Sequence, residues 1–561
     1  MKFNKIIKLI IAFLSLIALL VVVGIGLAYN VTIRNAMSEN ITLNNNNIIF
    51  IISLLLIIAI LFILFNKLSG IKIKYKSKKL MLDKNIKRLI FLVLLVLFAI
   101  IQIIWINVRD ANPNYDQYYV YNTAVEMSQG EWDNLTQKEY LEIYPQQISL
   151  ASFYALILKI FNTTSIKALQ YLNVVANIFI VLGLYLITNI IANKENTKNS
   201  IAFFVMAITF TPLIFLSTFI YGDLISLAFV TFAIYFVIKY NKLEKIRYLI
   251  ISAIFMSLSY FFRMNMLIFF IAICIYLFLE LIKYASKVRK KTSLKENKEI
   301  IIKNDKIKNN KIQIVFKVLL ILIYAIISIV PTTIFKSYMQ EKLKLDKNGS
   351  FPIIGFIDLG ISNSTRGPGW YVDSFIDTWK IDGHDTEPMK RRIQNQLTNF
   401  AENPSECFWF YIVKIASMWN ENTFGSIWYN LSFNFGNMSV NEGQATEEQV
   451  SNYNKVDNFI YNNYNLFVMY DKIIVMFIYV AVLLFILRNK NISNEQILPI
   501  LIFLGGFLFH IFWEGKSRYV MPYVVMLIPI ASIGIKENIQ WIGTKVNKTK
   551  NKFNKKTKDK I

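Results

Sequence analysis

The sequence predicts an all-α polytopic membrane protein, on the evidence of its composition and its recurring apolar runs. The chain has 561 residues, of which 55% are hydrophobic and 17% charged, and its mean hydropathy is +0.43. A soluble chain of this length normally carries more charge. Apolar runs of about 20 residues recur from end to end, and each can cross roughly 30 Å of hydrocarbon as a helix. We therefore expect a bundle of helices that pack against one another in lipid.

Twelve spans are predicted from these runs. They cover residues 5–29, 47–65, 89–107, 167–192, 199–219, 224–240, 247–262, 265–283, 313–335, 468–487, 495–511 and 518–536. The first run follows lysines, as a signal core does, but it is longer than such a core and no small-x-small cleavage site follows it. A further apolar helix, 146–161, is short for a span. We expect it to lie in the outer interface or re-enter it, because a crossing there would turn the lysine-rich loop 284–312 outward.

The loops between the spans divide by charge, and this predicts sidedness. Segments 66–88, 284–312 and 537–561 have nine, ten and eight Lys/Arg against one, three and two acids. Segment 108–146 has two against seven, and segment 336–467 has eleven against fifteen. The positive-inside rule predicts that the basic segments and both termini are cytoplasmic and that both acidic segments lie outside. Nucleic-acid binding is not expected despite the net charge of +25, because the basic segments adjoin spans and lack interleaved aromatics.

Five regions follow from this topology. They are a two-span N-terminal extension with a basic cytoplasmic loop (1–88), a transmembrane core with its first outer loop at 108–146 (89–335), an extracellular domain of mixed structure (336–467), the C-terminal spans (468–536) and a basic cytoplasmic tail (537–561). Arg366, Asp373 and His384 of the extracellular domain could reach a site on the outer face. No Cys/His spacing typical of a metal site is present.

Ionisable residues collect at the predicted outer ends of the spans. In chain order they are Asp110, Asp116, Asp223, Arg263, Glu514, Lys516 and Arg518. Charges near hydrocarbon are costly unless they are paired or functional. A charge in a short turn is often only solvated, and this alternative is weakest in two places. One is the turn WEGKSRY at 513–519, and the other is Asp116, which lies among four tyrosines.

Three segments, in their order along the chain, carry a family resemblance. YDQYYVYNTA at 115–124, YPQQ at 144–147 and SRYVMPY at 517–523 together resemble the GT-C membrane glycosyltransferases, specifically the bacterial relatives of protein O-mannosyltransferases and of the aminoarabinose transferase of lipid A. The resemblance covers about residues 89–540. The adjacent Asp-Glu pair of the mannosyltransferases appears here as Asp116-Gln117. The resemblance implies a GT-C-type bundle that transfers a sugar from a polyprenyl-phosphate donor to a cell-surface glycan, lipid or protein on the outer face.

The implied chemistry assigns roles to the outer-face residues. The acceptor hydroxyl needs a general base, which is Asp116 or, as the alternative, Asp110. Arg518, Lys516 and Arg263 would bind the donor phosphate, since cations stabilise the charge that builds on this leaving group. The remaining substrate-binding candidates are Glu514, Asp223, Tyr115, Trp513 and Tyr519. No cofactor or metal is predicted, although a divalent cation at the two aspartates remains an alternative.

Three other functions compete with the transferase. A surface-polysaccharide polymerase or ligase would use a lipid diphosphate donor. A secondary transporter would place ionisable residues near mid-membrane and show repeated halves, which the sequence does not. An envelope assembly protein without catalysis is the third alternative.

Overall fold

The computed structural model describes residues 2–33, 39–69, 72–75, 78–81, 84–192, 201–293, 300–430, 447–489, 491–535, 538, 539 and 541. The helices up to residue 293 are α1 (Lys2–Ala28), α2 (Ile48–Ser69), α3 (Lys84–Arg109), α4 (Asp116–Gln129), α5 (Lys138–Ile143), α6 (Ile148–Ile160), α7 (Ile166–Ile191), α8 (Ile201–Ile208), α9 (Thr211–Phe215), α10 (Asp223–Leu243), α11 (Ile246–Phe262) and α12 (Leu267–Ser293). The later helices are α13 (Ile300–Lys342), α14 (Ile353–Ile361), α15 (Ser374–Ile381), α16 (Glu387–Glu402), α17 (Pro404–Trp419), α18 (Glu447–Arg488), α19 (Asn494–Phe512), α20 (Ser517–Val525) and α21 (Ile528–Ile535). Two antiparallel hairpins join the first three helices, β1 (Tyr29–Ile33) with β2 (Ile41–Asn45) and β3 (Lys72–Tyr75) with β4 (Lys78–Met81).

Within these described residues, nine helices are long and apolar enough to cross a membrane, and two bent pairs raise the number to eleven. The bent pairs are α8 with Thr211–Thr218, at 49°, and α20 with α21, at 43°. The predicted span 247–262 is the 17-residue helix α11, which is shorter than these. The chain is a multi-pass integral membrane protein.

The short apolar helix predicted at 146–161 forms α6, which has 13 residues. At 1.5 Å per residue α6 is about 20 Å long, less than the hydrocarbon thickness. It packs against α4, which belongs to the acidic segment 108–146. The two helices therefore form one layer over the ends of the spans.

The N-terminal region 1–88 is built into the bundle and is not an appended extension. α1 packs against α17, α18 and α19, and the Asn4 amide donates to the Leu279 carbonyl at 2.7 Å. At the other end of α1, the Tyr464 hydroxyl of α18 accepts from the Ile33 amide at 3.1 Å and donates to the Ile33 carbonyl at 2.9 Å. The apolar α1 thus contributes to the same core as the C-terminal spans.

Two other predicted boundaries fall inside helices. Boundary 335/336 lies within α13 and boundary 467/468 within α18, because a helix continues past the end of its apolar stretch when polar helix formers follow. The described part of 336–467 is helical, with one isolated bridge between Trp370 and Gly515, and not of mixed structure.

The short helix α14 and the loop that follows it pack over the turn 513–516 that joins α19 to α20. The Glu514 amide donates to the Phe356 carbonyl at 3.0 Å, and the Gly515 amide donates to the Gly369 carbonyl at 2.6 Å. The turn formers around 350–373 therefore fix the position of the charged turn that the sequence singled out.

Candidate functional site

A cavity of about 1030 Å³ lies at the end of the bundle where α3, α11 and α19 finish and α10 begins. Seven of the site residues predicted from the sequence line it: Tyr115, Asp116, Arg263, Trp513, Glu514, Lys516 and Tyr519. Turns that are far apart in sequence meet at this cavity because antiparallel helices bring their alternate ends to one side of the bundle. We call it the end cavity.

Asp116 is the first residue of α4 and faces the end cavity. Its carboxylate makes no salt bridge to the residues that the structure describes, and the N-terminus of the helix favours its negative charge. Burial raises the pKa of Tyr144 well above its ordinary value, and the Asp116 carboxylate adds to this effect. Asp116 therefore presents to the end cavity a carboxylate that no cation of the described residues neutralises.

Tyrosines of the first acidic segment build one wall of the end cavity. The Tyr140 and Tyr221 hydroxyls are 2.8 Å apart, and the Gln147 amide donates to Tyr221 at 2.9 Å. Tyr119 stacks on Tyr140, with ring centroids 4.6 Å apart. Rings that present both a flat apolar face and a hydroxyl suit a sugar, which has apolar faces and polar edges.

Asp223 joins two arginines at the base of the end cavity. Its carboxylate pairs with Arg263 at 3.1 Å and with Arg518. Arg518 is 1% exposed, and its guanidinium lies against the rings of Phe219 and Tyr429. Arg518 and Asp223 do not line the cavity, so the expectation that both touch substrate is corrected. They lie behind Arg263 and hold it.

Glu39 is a cavity residue that was not predicted from the sequence. It is 4% exposed, and its carboxylate pairs with Lys516 at 2.8 Å and with Arg366 at 3.6 Å. The sequence does single out Glu39, because it is the first acidic residue of the chain and the next is Asp83. Arg366 in turn pairs with Asp373 at 3.7 Å, so residues of the N-terminal hairpin region, the 513–519 turn and the region over it share one charge network.

Glu514 is buried beside this network. Burial is the largest cause of a pKa raised to about 7; Asp116 and Glu39 also raise it, while Lys516 and Arg518 lower it. Its carboxylate lies 3.5 Å from the Tyr519 hydroxyl. Glu514 can therefore hold or release a proton near neutral pH at the cavity wall.

Two candidates lie away from the end cavity. Asp110 pairs with Lys167 at 2.7 Å and is not among the cavity-lining residues. His384 stacks on Trp379, with ring centroids 4.4 Å apart, and does not line the cavity either. Of the two aspartates proposed as base, the geometry brings only Asp116 to the site.

The described residues contain no group of three or more His, Cys, Asp or Glu side chains arranged to hold a metal ion. Glu39, a cavity residue, is instead paired with a lysine and an arginine, and Asp223, behind the cavity, is paired with two arginines.

The sequence model of one protein family, described as conserved hypothetical integral membrane protein, matches residues 2–539, and the chain belongs to this family. No curated protein and no solved structure matches the chain. The match includes the N-terminal region and the C-terminal spans together, in keeping with their common core.

Proposed function

We propose that this integral membrane protein is a glycosyltransferase that moves a sugar from a polyprenyl-phosphate donor to a hydroxyl of a cell-surface glycan, lipid or protein. One observation carries the proposal: the carboxylate of Asp116 and the cations Arg263 and Lys516 line the same large cavity at one end of the bundle. A transfer between a lipid phosphate and an outer acceptor needs these groups together, next to a membrane.

The reaction that these residues support is a single displacement. Asp116 accepts the proton of the acceptor hydroxyl as its oxygen attacks the anomeric carbon. The bond from that carbon to the phosphate oxygen breaks, and the leaving polyprenyl phosphate takes the electron pair. Arg263 and Lys516 stabilise the charge that develops on the phosphate. Attack from the side opposite the leaving group inverts the configuration of the anomeric carbon.

The other predicted residues act on this reaction in two ways. Tyr115, Trp513 and Tyr519 line the end cavity and would contact the sugar or acceptor, together with Glu514. Asp223 and Arg518 act through Arg263 and are positioning residues, since neither lines the cavity.

The sidedness of the proposed enzyme rests on charge. The lysine-rich segments 66–88, 284–312 and 537–561 adjoin the opposite helix ends from the end cavity. By the positive-inside rule, those ends face the cytoplasm and the cavity faces outward.

The test is donor turnover by the purified full-length protein in phosphatidylcholine liposomes. The donors are undecaprenyl phosphates that carry different sugars, and the readout is release of free undecaprenyl phosphate. We expect turnover of at least one donor by the wild type and a loss of about 10²- to 10⁴-fold in D116N, because the base is gone. Undecaprenyl-diphosphate oligosaccharides form a second donor series, whose exclusive use would favour the polymerase or ligase instead.

D133N is the matched control. Asp133 lies in the same acidic segment, is 79% exposed and is not a cavity residue, so its amide variant should turn over donor normally. Full activity of D116N, or no turnover of any donor by well-folded wild type, would contradict the proposed function.

A further inference from the structure

Lys336 is a cavity-lining lysine that the charge network leaves without a partner. It is half-buried on α13 and makes no ion pair within the ranges that the structure describes. The hydropathy pattern predicts that Lys336 is the first residue of the extracellular region 336–467. The structure instead includes it in the apolar helical stretch Ile312–Lys342.

The helix that carries Lys336 is a lipid-facing wall of the bundle. Only 17% of the most apolar 18-residue stretch of α13 is buried. Ile334 is 63% exposed and Tyr338 is 61% exposed, so apolar side chains cover the helix on both sides of the lysine. Charges in such surroundings are rare and usually functional. The apolar stem of a lysine can lie along this surface while its ammonium turns into a polar space, here the end cavity.

Arg263 and Asn265 line the same cavity from the turn between α11 and α12, and α11 packs directly against α13. Met264, between them, is 42% exposed. The cavity therefore continues from its base at Arg263 to a side wall made by a lipid-facing helix.

Each of the other cations of the end cavity is paired with a carboxylate of the described residues. Glu39 forms salt bridges with Lys516 and Arg366, and Asp223 forms one with Arg263. Glu139 forms one with Lys380. Lys336 has the only cavity ammonium or guanidinium without such a carboxylate among the described residues, so no carboxylate of this part of the chain competes with an incoming anion for it.

We propose that Lys336 marks a lateral entrance through which a phosphate monoester on a lipid tail passes from the bilayer into the end cavity, with Lys336 binding the phosphate and Arg263 receiving it further in. This inference rests on the proposed function for its choice of a lipid phosphate, and it adds the route and the residue that selects the anion. The lipid tail stays along α13 while the headgroup turns inward.

The test measures binding without turnover, with the full chain in phosphatidylcholine nanodiscs. Undecaprenyl phosphate is titrated by native mass spectrometry, and phosphatidylglycerol and aqueous inorganic phosphate form two further arms. We expect K336M to weaken undecaprenyl phosphate binding about 10- to 100-fold, as the loss of a charge-assisted hydrogen bond would. K336R keeps the charge and should bind within a few-fold of wild type.

K317M is the matched control, because Lys317 lies on α13 at the opposite end of the same span and away from the end cavity. Its affinity for undecaprenyl phosphate should equal that of wild type. Unchanged binding in K336M would overturn the entrance. So would equal weakening for phosphatidylglycerol, which would make Lys336 a general contact for anionic lipid, or inorganic phosphate binding as tight as that of the lipid.

The two proposals fail separately. Binding of undecaprenyl phosphate that depends on Lys336, without transfer of any sugar, would contradict the transferase and keep the entrance. Sugar transfer by a K336M variant with wild-type KM for the lipid donor would contradict the entrance and keep the transferase.

Discussion

Glu514 combines burial with charge in a way that should make the stability of the protein depend on pH. Burial raises its pKa to about 7 in the folded protein, whereas an unfolded glutamate has a pKa of about 4.3. Between these values the folded state binds the proton more tightly, so the free energy of unfolding falls as pH rises from about 4.5 to 7 and then levels off. Each pKa unit between the folded and unfolded states changes the free energy of unfolding by about 1.4 kcal/mol across this pH range.

The expected result is a difference between two pH slopes, because burial also raises the pKa of Asp358 and of Glu421. E514Q lacks the Glu514 carboxyl, so its apparent Tm in nanodiscs should fall less than that of wild type between pH 5.5 and pH 7. The comparison stays below pH 7 because burial also lowers the pKa of Lys414 to about 7. A folded-state pKa below that of free lysine adds stability only as pH rises from 7 toward 10.5. The same pH slope in E514Q and wild type would contradict the prediction.

At the residue scale, the sequence predicts the charged turns well and the orientation of single side chains poorly. Asp116, Arg263 and Lys516 were predicted because polar residues at span ends are conspicuous, and all three line the end cavity. Arg518 was assigned to the phosphate, yet it is buried with Asp223. Lys516 is the extended residue before α20 and Arg518 is the second residue of that helix, so no single helical spacing relates their side chains. Their different positions depend on their partners, Glu39 for Lys516 and Asp223 for Arg518.

At the element scale, Gly360 permits the close approach of α14 to the end of α19. A Cβ there would lie 2.2 Å from the Phe512 carbonyl oxygen and 2.5 Å from the Trp513 carbonyl carbon, both backbone atoms that cannot rotate away. Nearby, the Lys414 ammonium donates to the carbonyls of Gly360, Ile511 (3.0 Å) and Trp513 (2.9 Å).

We therefore expect G360A to push α14 off the turn and to destabilise the protein by about 1–3 kcal/mol, as overpacking does. The measurements are the apparent Tm and the intrinsic tryptophan fluorescence, to which Trp513 in the turn contributes. G24A is the control, since a Cβ at Gly24 in α1 meets no atom within 4 Å, and alanine there should be neutral or slightly stabilising. Equal Tm values for G360A and wild type would show that α14 can move away from the turn without cost.

Hydropathy predicts the extent of a helix within an apolar run, but it does not predict how far the helix continues beyond that run. The apolar runs correspond to helices because only helices satisfy the backbone in hydrocarbon. The predicted spans stop short of the true helix ends in α13 and α18 because the polar continuations, 336–342 and 447–467, carry no apolar signal. Lys336 was misassigned for the same reason, since a lysine normally marks where a span ends.

At the scale of the whole molecule, Glu39 of the N-terminal region and the turn 513–519 line one cavity. The sequence could not show this, because Glu39 and Lys516 are separated by most of the chain and no local pattern links them. Pairing follows from where α1 packs, and that depends on side-chain fit with α17 to α19. The family resemblance begins only at residue 89, so it gives no expectation for Glu39.

A double-mutant cycle on Glu39 and Lys516 tests this union independently of any enzymatic activity. The pair is buried, with a distance of 2.8 Å and exposures of 5% and 16%. Removing one partner leaves a buried charge without its counterion, which costs about 3–5 kcal/mol, whereas removing both leaves neither Glu39 nor Lys516 unpaired. Arg366 loses Glu39 in E39A and in the double variant alike and keeps Asp373, so this change cancels in the cycle. We expect E39A and K516M each to lower the free energy of unfolding in detergent substantially. The double variant should recover about 1–3 kcal/mol relative to the sum of the two.

The control cycle combines E39A with K380M. Lys380 lines the same end cavity, but it pairs with Glu139 and not with Glu39. These two substitutions should add within about 0.5 kcal/mol. Additivity of E39A with K516M as well would mean that the hairpin region and the 513–519 turn do not share a site. The N-terminal region would then be an appendage after all, and the end cavity would have to be completed without it.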